Sequence, residues 1–183
     1  MNNFKLNAII LSRREFGEAD AYLTVFSREE GKLSLLAKGI RRVNSRRAPH
    51  LETFSRSEIY VHETSGGNLI VTQAKVIDAF SGIREDIKKV GLAFYATELV
   101  SRLTREYQEH SQVFERLLLF LQNLSTRPLP PDPYSQIIKS FQSDILQYLG
   151  FGTKTLAKER DLRYYVEELL GGNLRSPEFL EKI

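Results

Sequence analysis

The residues best suited to binding chemistry are five basic side chains within ten consecutive positions. The segment 38–47 reads KGIRRVNSRR and contains no acidic residue. Five like charges this close repel one another, and a bound polyanion would offset that repulsion. Arginine predominates, and its planar guanidinium group can bond phosphate in a bidentate manner and stack on nucleobases. The segment therefore predicts a phosphate-binding loop, with a merely solvated loop as the alternative. The five residues are Lys38, Arg41, Arg42, Arg46 and Arg47.

The net charge of the whole chain is small, but its distribution is uneven. Over 183 residues, 26 Lys and Arg stand against 23 Asp and Glu, a formal net charge of +3. The first 60 residues hold 11 basic and 7 acidic residues, so the positive excess lies in the N-terminal third. Basic residues near predicted strand ends extend the expected positive surface. They are Arg13, Arg14, Arg28 and Lys32.

Patterns typical of catalysis or metal binding are weak. The chain has no cysteine, which excludes a disulfide framework, a cysteine zinc site, an iron–sulfur cluster and a cysteine nucleophile. The three histidines, His50, His62 and His110, lie in different predicted elements, and none has a partner at metal-ligand spacing. The segment 152–155, GTKT, lacks the upstream glycine and the strand of a phosphate-binding loop. The sequence predicts no enzyme, no metal and no cofactor.

The sequence also predicts a protein outside the membrane. Its apolar runs, such as 117–121, fall far short of the roughly 20 residues that span a bilayer. The first five residues, MNNFK, do not resemble a secretory signal. Together with the absence of cysteine, these features favour a cytoplasmic location.

Short strands are expected to position the basic segment. Up to about residue 78, β-rich apolar runs alternate with glycine turns, which favours a small antiparallel barrel. The basic segment then connects strands three and four. Barrels of this kind commonly bind single strands, and Phe26, Phe54 and Tyr60 are candidates for base stacking, with burial in the core as the alternative. The predicted strands span 7–12, 21–26, 33–37, 57–62 and 69–76.

From about residue 79 the apolar residues recur with a helical period. Asp132 and Pro133 close a proline-rich connector and are expected to cap and begin the third helix. The apolar stripe of that helix, including Phe141 and Tyr148, is expected in the core, with a groove for a partner's tail as the alternative. The predicted helices span 83–103, 113–124, 134–149 and 162–170, and a short one begins at 176.

Several segments follow one another in a recognisable order. They are FGEAD (16–20), LTVFSREEGKL (23–33), AKGIRR (37–42), LETFS (51–55), LIVTQA (69–74), AFYATELV (93–100), LGF (149–151) and LRSPEFL (174–180). Their order and spacing resemble the RecO family of bacterial recombination mediators. The resemblance is strong from residue 9 to 80 and thinner after residue 105.

The resemblance implies an α+β chain, with an OB-fold barrel in residues 1–79 and an all-α helical domain in residues 80–183. It implies binding of single- and double-stranded DNA, annealing of complementary strands, and help in loading a RecA-type recombinase during DNA repair, without catalysis. The implied partners are a RecR-type mediator and the acidic tail of single-strand DNA-binding protein. The alternative is a protein-interaction adaptor whose helical groove docks a partner tail and whose barrel binds RNA or protein.

Two departures from the family pattern stand out. Many members carry a four-cysteine zinc module after the LGF segment, whereas here residues 152–160 bridge that gap without cysteine. The zinc module is therefore expected to be absent. A basic residue is also expected after the Glu-Ala-Asp motif, where this chain has Ala21. One phosphate contact is expected to be missing there.

Overall fold

Five strands form a closed barrel in the N-terminal part of the chain. The computed structural model describes residues 2–132, 134–152 and 162–177. Around the barrel the strands follow the order β1-β2-β3-β5-β4, and β4 pairs with β1 to close it. The strands are β1 (Asn2–Phe16), β2 (Asp20–Ser27), β3 (Gly31–Ala37), β4 (Arg56–Glu63) and β5 (Leu69–Asp78). The predicted five-stranded barrel is confirmed.

One strand pair differs from the antiparallel arrangement expected from the sequence. β3 and β5 run parallel where Leu36 faces Ile70, whereas the other neighbouring pairs are antiparallel. Parallel neighbours cannot be joined by a tight hairpin and need a longer connection. Here the chain between β3 and β5 contains the long 38–55 connection and all of β4.

β1 is the longest strand because it serves two neighbours. Residues 2–9 pair with β4, and residues 8–16 pair with β2. A bulge between Ile10 and Ser12 interrupts the register near the change of partner. The prediction of 7–12 found only the apolar centre of this strand, since the ends of the strand are polar and largely exposed.

Alternating side chains from all five strands fill the barrel. They form one core cluster with Ile40 and Leu51 from the β3–β4 connection. The strand residues of the cluster are Leu6, Ala8, Ile10, Ala21, Leu23, Val25, Leu33, Leu35, Ala37, Ile59, Val61, Leu69 and Val71.

Helices follow the barrel, so the α+β fold class is confirmed. They are α1 (Ile87–Leu103), α2 (Ser111–Thr126), α3 (Lys139–Tyr148) and α4 (Leu162–Leu170). A 3-10 turn at Ser81–Ile83 precedes α1, which therefore begins later than predicted. A π-helical turn, Tyr134–Ile138, precedes α3. Three parts of the chain after Met1 lie outside the described residues. They are Pro133, where the third helix was predicted to begin, residues 153–161, which contain most of the zinc-module gap, and residues 178–183, which follow the start of the last predicted helix.

The apolar stripe of α3 packs mainly into the core, as expected. Phe141 is fully buried, and its ring lies 4.5 Å from that of Phe120 on α2. The guanidinium group of Arg116 lies over the Phe141 ring at 5.2 Å and bonds Asp144 at 2.6 Å. Tyr148, at the end of the stripe, is exposed.

The chain forms two compact units. The first contains residues 1–79 and 104–111, and the second contains residues 80–103 and 112–183. The segment 104–111, placed in the helical domain from the sequence, thus belongs to the barrel unit. The backbone N–H of Tyr107 donates to the carbonyl of Lys32 at 3.1 Å, which fastens this segment to β3. The apolar period of the sequence could not reveal this contact, because residues 105–109 are exposed and polar or aromatic.

Within the described ranges, no helix is both long enough and apolar enough to cross a lipid bilayer. Among those same residues, no cluster of three or more His, Asp or Glu side chains could hold a metal ion.

Candidate nucleic-acid interface

The basic loop, residues 38–47, leaves the end of β3 as a series of tight turns. Gly39 has a φ of +65°, and its carbonyl accepts a hydrogen bond from the N–H of Arg42 at 3.3 Å. The N–H of Ser45 then donates to the carbonyl of Arg42 at 2.9 Å. Ile40 is buried in the barrel core. The loop is therefore pinned to the barrel near its start, while the charged side chains beside Ile40 remain outside.

Arg47 closes the base of the basic loop. Its Nη1 donates to the carbonyl of Val71 on β5 at 2.6 Å, and its Nη2 donates to the carbonyl of Lys38 at 2.5 Å. A guanidinium group that spans two carbonyls in this way joins the two ends of the loop to a neighbouring strand. The side chain of Arg47 is thus used mainly to shape the loop.

Arg41 fastens the loop to the β1–β2 turn. Its N–H donates to the carbonyl of Ala19 at 2.9 Å, and its Nη1 donates to the carbonyl of Gly17 at 3.3 Å. Its Nη2 lies 3.0 Å from a carboxylate oxygen of Glu15. The charge of Arg41 is partly compensated by this ion pair.

The other three basic side chains face an open cleft of about 510 Å³. Lys38, Arg42 and Arg46 are exposed, and within the described chain no side-chain hydrogen bond or ion pair holds their charged groups. Asp20 is the acidic residue of the cleft, and its Oδ1 accepts a hydrogen bond from the N–H of Gly39 at 2.7 Å. The cleft therefore carries a positive excess. Its lining is Asp20, Lys38, Gly39, Arg42, Asn44, Ser45, Arg46 and Arg47.

Lys32, predicted as part of the positive surface, is engaged inside the barrel unit. Its Nζ donates to the carbonyl of Thr104 at 2.5 Å. Burial lowers the pKa of Lys32, and the nearby carboxylate of Glu106 opposes that shift in part. The half-buried ammonium group is therefore committed to fastening the segment 104–111.

Arg14 belongs to a small aromatic cluster on the β1–β2 hairpin. Its guanidinium group lies over the ring of Tyr22, 5.7 Å from the centroid. Phe16 contacts the same tyrosine in a T-shaped arrangement at 4.9 Å and is 49% exposed. Arg13 is half-buried and pairs with Leu23, and both side chains lie on the face of the hairpin opposite to Arg14. Phe16 was not among the predicted site residues, although its spacing of two from Arg14 indicates a shared face.

The aromatic residues proposed for base stacking divide by burial. Phe26 and Phe54 are buried, which favours the core alternative for both. Tyr60 on β4 is 40% exposed, and its hydroxyl donates to a carboxylate oxygen of Glu58 at 3.1 Å. The exposure of an aromatic side chain depends on which faces of the barrel are covered by other parts of the chain. The alternation of residues along a strand does not predict this covering.

The helical unit has its own cleft, with a volume of about 270 Å³, between α2 and the chain that leads into α3. Arg116 and Arg127 lie at this cleft, and Arg116 is already paired with Asp144. The apolar lining residues are Phe120, Leu124, Pro128, Leu129, Pro130 and Ile137. The arrangement combines an apolar floor with one exposed guanidinium group.

Comparison with known proteins accounts for both parts of the chain. The family model described as Recombination protein O N terminal matches residues 1–80, and the one described as Recombination protein O C terminal matches residues 84–155. The chain belongs to the RecO family. Neither description names a chemical reaction.

Curated RecO relatives come from several bacteria and are named DNA repair protein RecO. The protein of Anaeromyxobacter sp. (strain K) is 31% identical over 151 residues, which are 82% of this chain and 58% of that protein. The protein of Myxococcus xanthus is 32% identical over 131 residues, 72% of this chain and 54% of that protein. The protein of Shouchella clausii is 36% identical over 122 residues, 67% of this chain and 47% of that protein. The chain thus spans between 47% and 58% of the length of these RecO relatives.

Ala21, which stands where the RecO pattern leads us to expect a basic residue, lies in the barrel interior. Ala21 is fully buried in the core cluster and pairs with Ala37 on β3. A long basic side chain at this position would therefore start from the core and not from the surface of the basic loop.

Proposed function

We propose that this chain is a non-catalytic, DNA-binding recombination mediator that holds single strands on the basic loop. The observation that carries the proposal is the set of three exposed cations, Lys38, Arg42 and Arg46, around one open cleft. The loop backbone is already fixed by Arg47, Ile40 and the β1–β2 turn. Little ordering entropy is then lost when phosphates bind, which supports a preformed polyanion site.

Neutralised phosphates also supply a mechanism for annealing. Two complementary strands repel each other through their backbones, and a cationic surface that holds both lowers this repulsion. The sequence-independent contacts of such a loop leave the base edges free to pair. We therefore propose single-strand binding, duplex binding and strand annealing as activities of one surface.

The salt dependence of single-strand affinity tests the proposal. For single strands, log K falls with log salt with a slope of about −0.7 for each phosphate contacted. We expect the double variant Arg42→Gln/Arg46→Gln to bind a dT oligonucleotide more weakly and to flatten the slope by about 1.4. Fluorescence anisotropy titrations between about 50 and 200 mM salt measure both quantities.

A charge-matched control separates the loop from general electrostatics. The variant Lys88→Gln/Arg105→Gln also removes two exposed cations, both outside the basic loop. It should keep the native slope to within a few tenths. Equal slopes for the native protein and Arg42→Gln/Arg46→Gln would remove the basic loop from the DNA site.

The partners are proposed from the family. We infer a RecR-type mediator and single-strand DNA-binding protein as partners, and a RecA-type recombinase as the protein whose loading is assisted. Co-sedimentation of the full chain with each purified partner tests these contacts. Absence of any complex at micromolar concentrations would argue against the mediator role while leaving DNA binding intact.

A second candidate function, docking of a partner tail, is favoured by the cleft in the helical unit. Its apolar floor and the exposed Arg127 fit an acidic peptide that ends in an aromatic residue, as in the proposed tail of single-strand DNA-binding protein. Phe141 is buried and does not contribute an exposed surface.

We expect Arg127→Gln to weaken binding of such an acidic, aromatic-ended peptide several-fold, measured by calorimetry. Peptide binding without DNA binding would favour the adaptor alternative.

A further inference from the structure

Phe16 is an exposed aromatic residue in a rigid setting. It is 49% exposed at the end of β1, where the strand pairs with β2 alone. Arg41 bonds the residues on either side of it, the carboxylate of Glu15 and the carbonyl of Gly17. Tyr22 supports the ring edge-on at 4.9 Å. A single exposed ring is common on protein surfaces, whereas a ring that belongs to a contiguous apolar patch marks an interaction site.

An apolar row continues from this ring across the outer face of the barrel. Tyr22 faces Leu36 on β3, and Leu36 faces Ile70 on β5. All three are half-buried. Because Leu23 and Leu35 point into the core, the alternation of side chains places Tyr22 and Leu36 on the outer face.

Cations border the row. Arg14 lies over the Tyr22 ring, and Lys38 follows Leu36 by two residues, just beyond the end of β3. A partner that offered only apolar side chains would leave Arg14 and Lys38 without an oppositely charged group. Flat apolar rings joined by regularly spaced anions match both features, and unpaired nucleotides are such a ligand.

We propose that Phe16 stacks on an unpaired nucleobase while Arg14 and Lys38 contact the neighbouring phosphates. This inference rests on the proposed function, because it assigns a second element of the same DNA surface. In a duplex the faces of the bases are already stacked on one another and are not available to a protein ring. Phe16 would therefore give single strands an advantage that the basic loop alone does not provide.

The test uses the full chain, three variants and three ligands. Phe16→Leu removes the ring and keeps an apolar side chain, whereas Phe16→Tyr keeps the ring. Tyr164→Leu removes an exposed aromatic residue on α4, outside the barrel unit. The ligands are a dT oligonucleotide, an abasic strand of equal length and a duplex, each titrated by anisotropy at fixed salt.

Stacking predicts a pattern across these ligands. Phe16→Leu should weaken dT binding about fivefold or more and leave the salt slope unchanged. Its affinity for the abasic strand and for the duplex should equal that of the native protein. Phe16→Tyr should bind dT within about twofold of the native protein, as should Tyr164→Leu.

Two outcomes would overturn the inference. One is a dT affinity of Phe16→Leu equal to that of Tyr164→Leu, and the other is an equal loss on the abasic strand. In both cases the dependence on Arg42 and Arg46 can persist, so the proposed function survives. A native protein that binds none of the three ligands would overturn the proposed function and this inference together.

Discussion

At the scale of single residues, one amino-acid type has two separate uses in the basic loop. The guanidinium groups of Arg47 and Arg41 bond backbone carbonyls of the barrel unit and shape the loop. Those of Arg42 and Arg46 are exposed at the cleft. The difference arises because carbonyls of β5 and of the β1–β2 turn lie within reach of the first pair.

We expect Arg47→Ala to lower the free energy of unfolding by about 1 to 3 kcal/mol, because two charge-assisted hydrogen bonds are lost. Arg46→Ala removes the same charge from an exposed site and should change stability by less than about 0.5 kcal/mol. Urea unfolding followed by circular dichroism measures both. Equal stability of the two variants would contradict the anchoring role of Arg47.

At the scale of elements, the start of β3 is fitted closely to the segment 104–111. A Cβ atom added to Gly31 would lie 1.9 Å from the carbonyl oxygen of Gln108. Gly31 also has a φ of +67°, which favours glycine. Packing and backbone conformation therefore both require glycine where the two pieces of the barrel unit meet.

We expect Gly31→Ala to destabilise the protein by at least about 2 kcal/mol, since backbone strain of about 1 to 2 kcal/mol adds to the clash. Gly67→Ala is the matched control, because Gly67 has a φ of +77° but open space around it. It should show the strain alone. Thermal and urea unfolding of the two variants provide the comparison, and a smaller effect at Gly31 than at Gly67 would refute the close packing.

The end of the described chain is fastened to α1 through one carboxylate. Glu98 accepts hydrogen bonds from the N–H groups of Arg175 and Ser176, at 2.9 and 2.8 Å, and from the Ser176 hydroxyl at 2.6 Å. Burial by itself raises the pKa of Glu98, but these bonds together with Arg102 outweigh burial and lower it. The folded state therefore favours the charged carboxylate.

This lowered pKa predicts a pH dependence of stability. The contribution of the Glu98 carboxylate is complete above its ordinary value of 4.5 and is lost as pH falls through the lower folded value. We expect the stability difference between the native protein and Glu98→Gln to shrink as pH falls from about 6 toward 3. Urea titrations across this range measure it, with Glu85→Gln as the exposed control. A difference that stays constant with pH would rule out this linkage.

At the scale of the whole molecule, the net charge is only +3, but basic residues are concentrated in the basic loop. The basic loop holds five basic residues over ten positions, and three of them are exposed at one cleft. A charge of this size spread evenly would give a weak field, whereas a focused one can hold phosphates at physiological salt. The proposed DNA surface depends on this concentration.

The annealing proposal makes a prediction at this same scale. Holding two strands neutralises more phosphates than holding one, so the acceleration of annealing should fall more steeply with log salt than single-strand affinity does. Stopped-flow annealing of labelled complementary oligonucleotides, divided by the rate without protein, measures the acceleration. A dependence no steeper than that of single-strand binding would argue against a surface that holds both strands.

Much of the fold follows from local sequence patterns. Period-two and helical apolar patterns predicted the five strands and α1 to α4, since these depend on neighbouring residues. The parallel contact of Leu36 with Ile70 and the place of 104–111 in the barrel unit could not be predicted. Both depend on residues far apart in the chain.

The candidate site was predictable in outline and not in detail. Charge clustering identified the five residues of the basic loop, and the order of motifs indicated the family. Only the folded chain shows which of the five basic side chains make no hydrogen bond or ion pair with the described part of the protein. It also shows that Phe16 is exposed while Phe26 is buried, and that Lys32 bonds the carbonyl of Thr104. A sequence shows which charges are near along the chain, but not which carbonyls lie near in space.

The sequence by itself determined the composition of each element, the concentration of charge at 38–47 and membership of a family. Only the tertiary structure decided the use of each side chain. Arg47 reaches a carbonyl 24 residues away, and Lys32 reaches one 72 residues away. Such contacts depend on strand order and register, which bring distant backbone groups together, and these decide whether a cation stabilises the fold or stays available to bind phosphate.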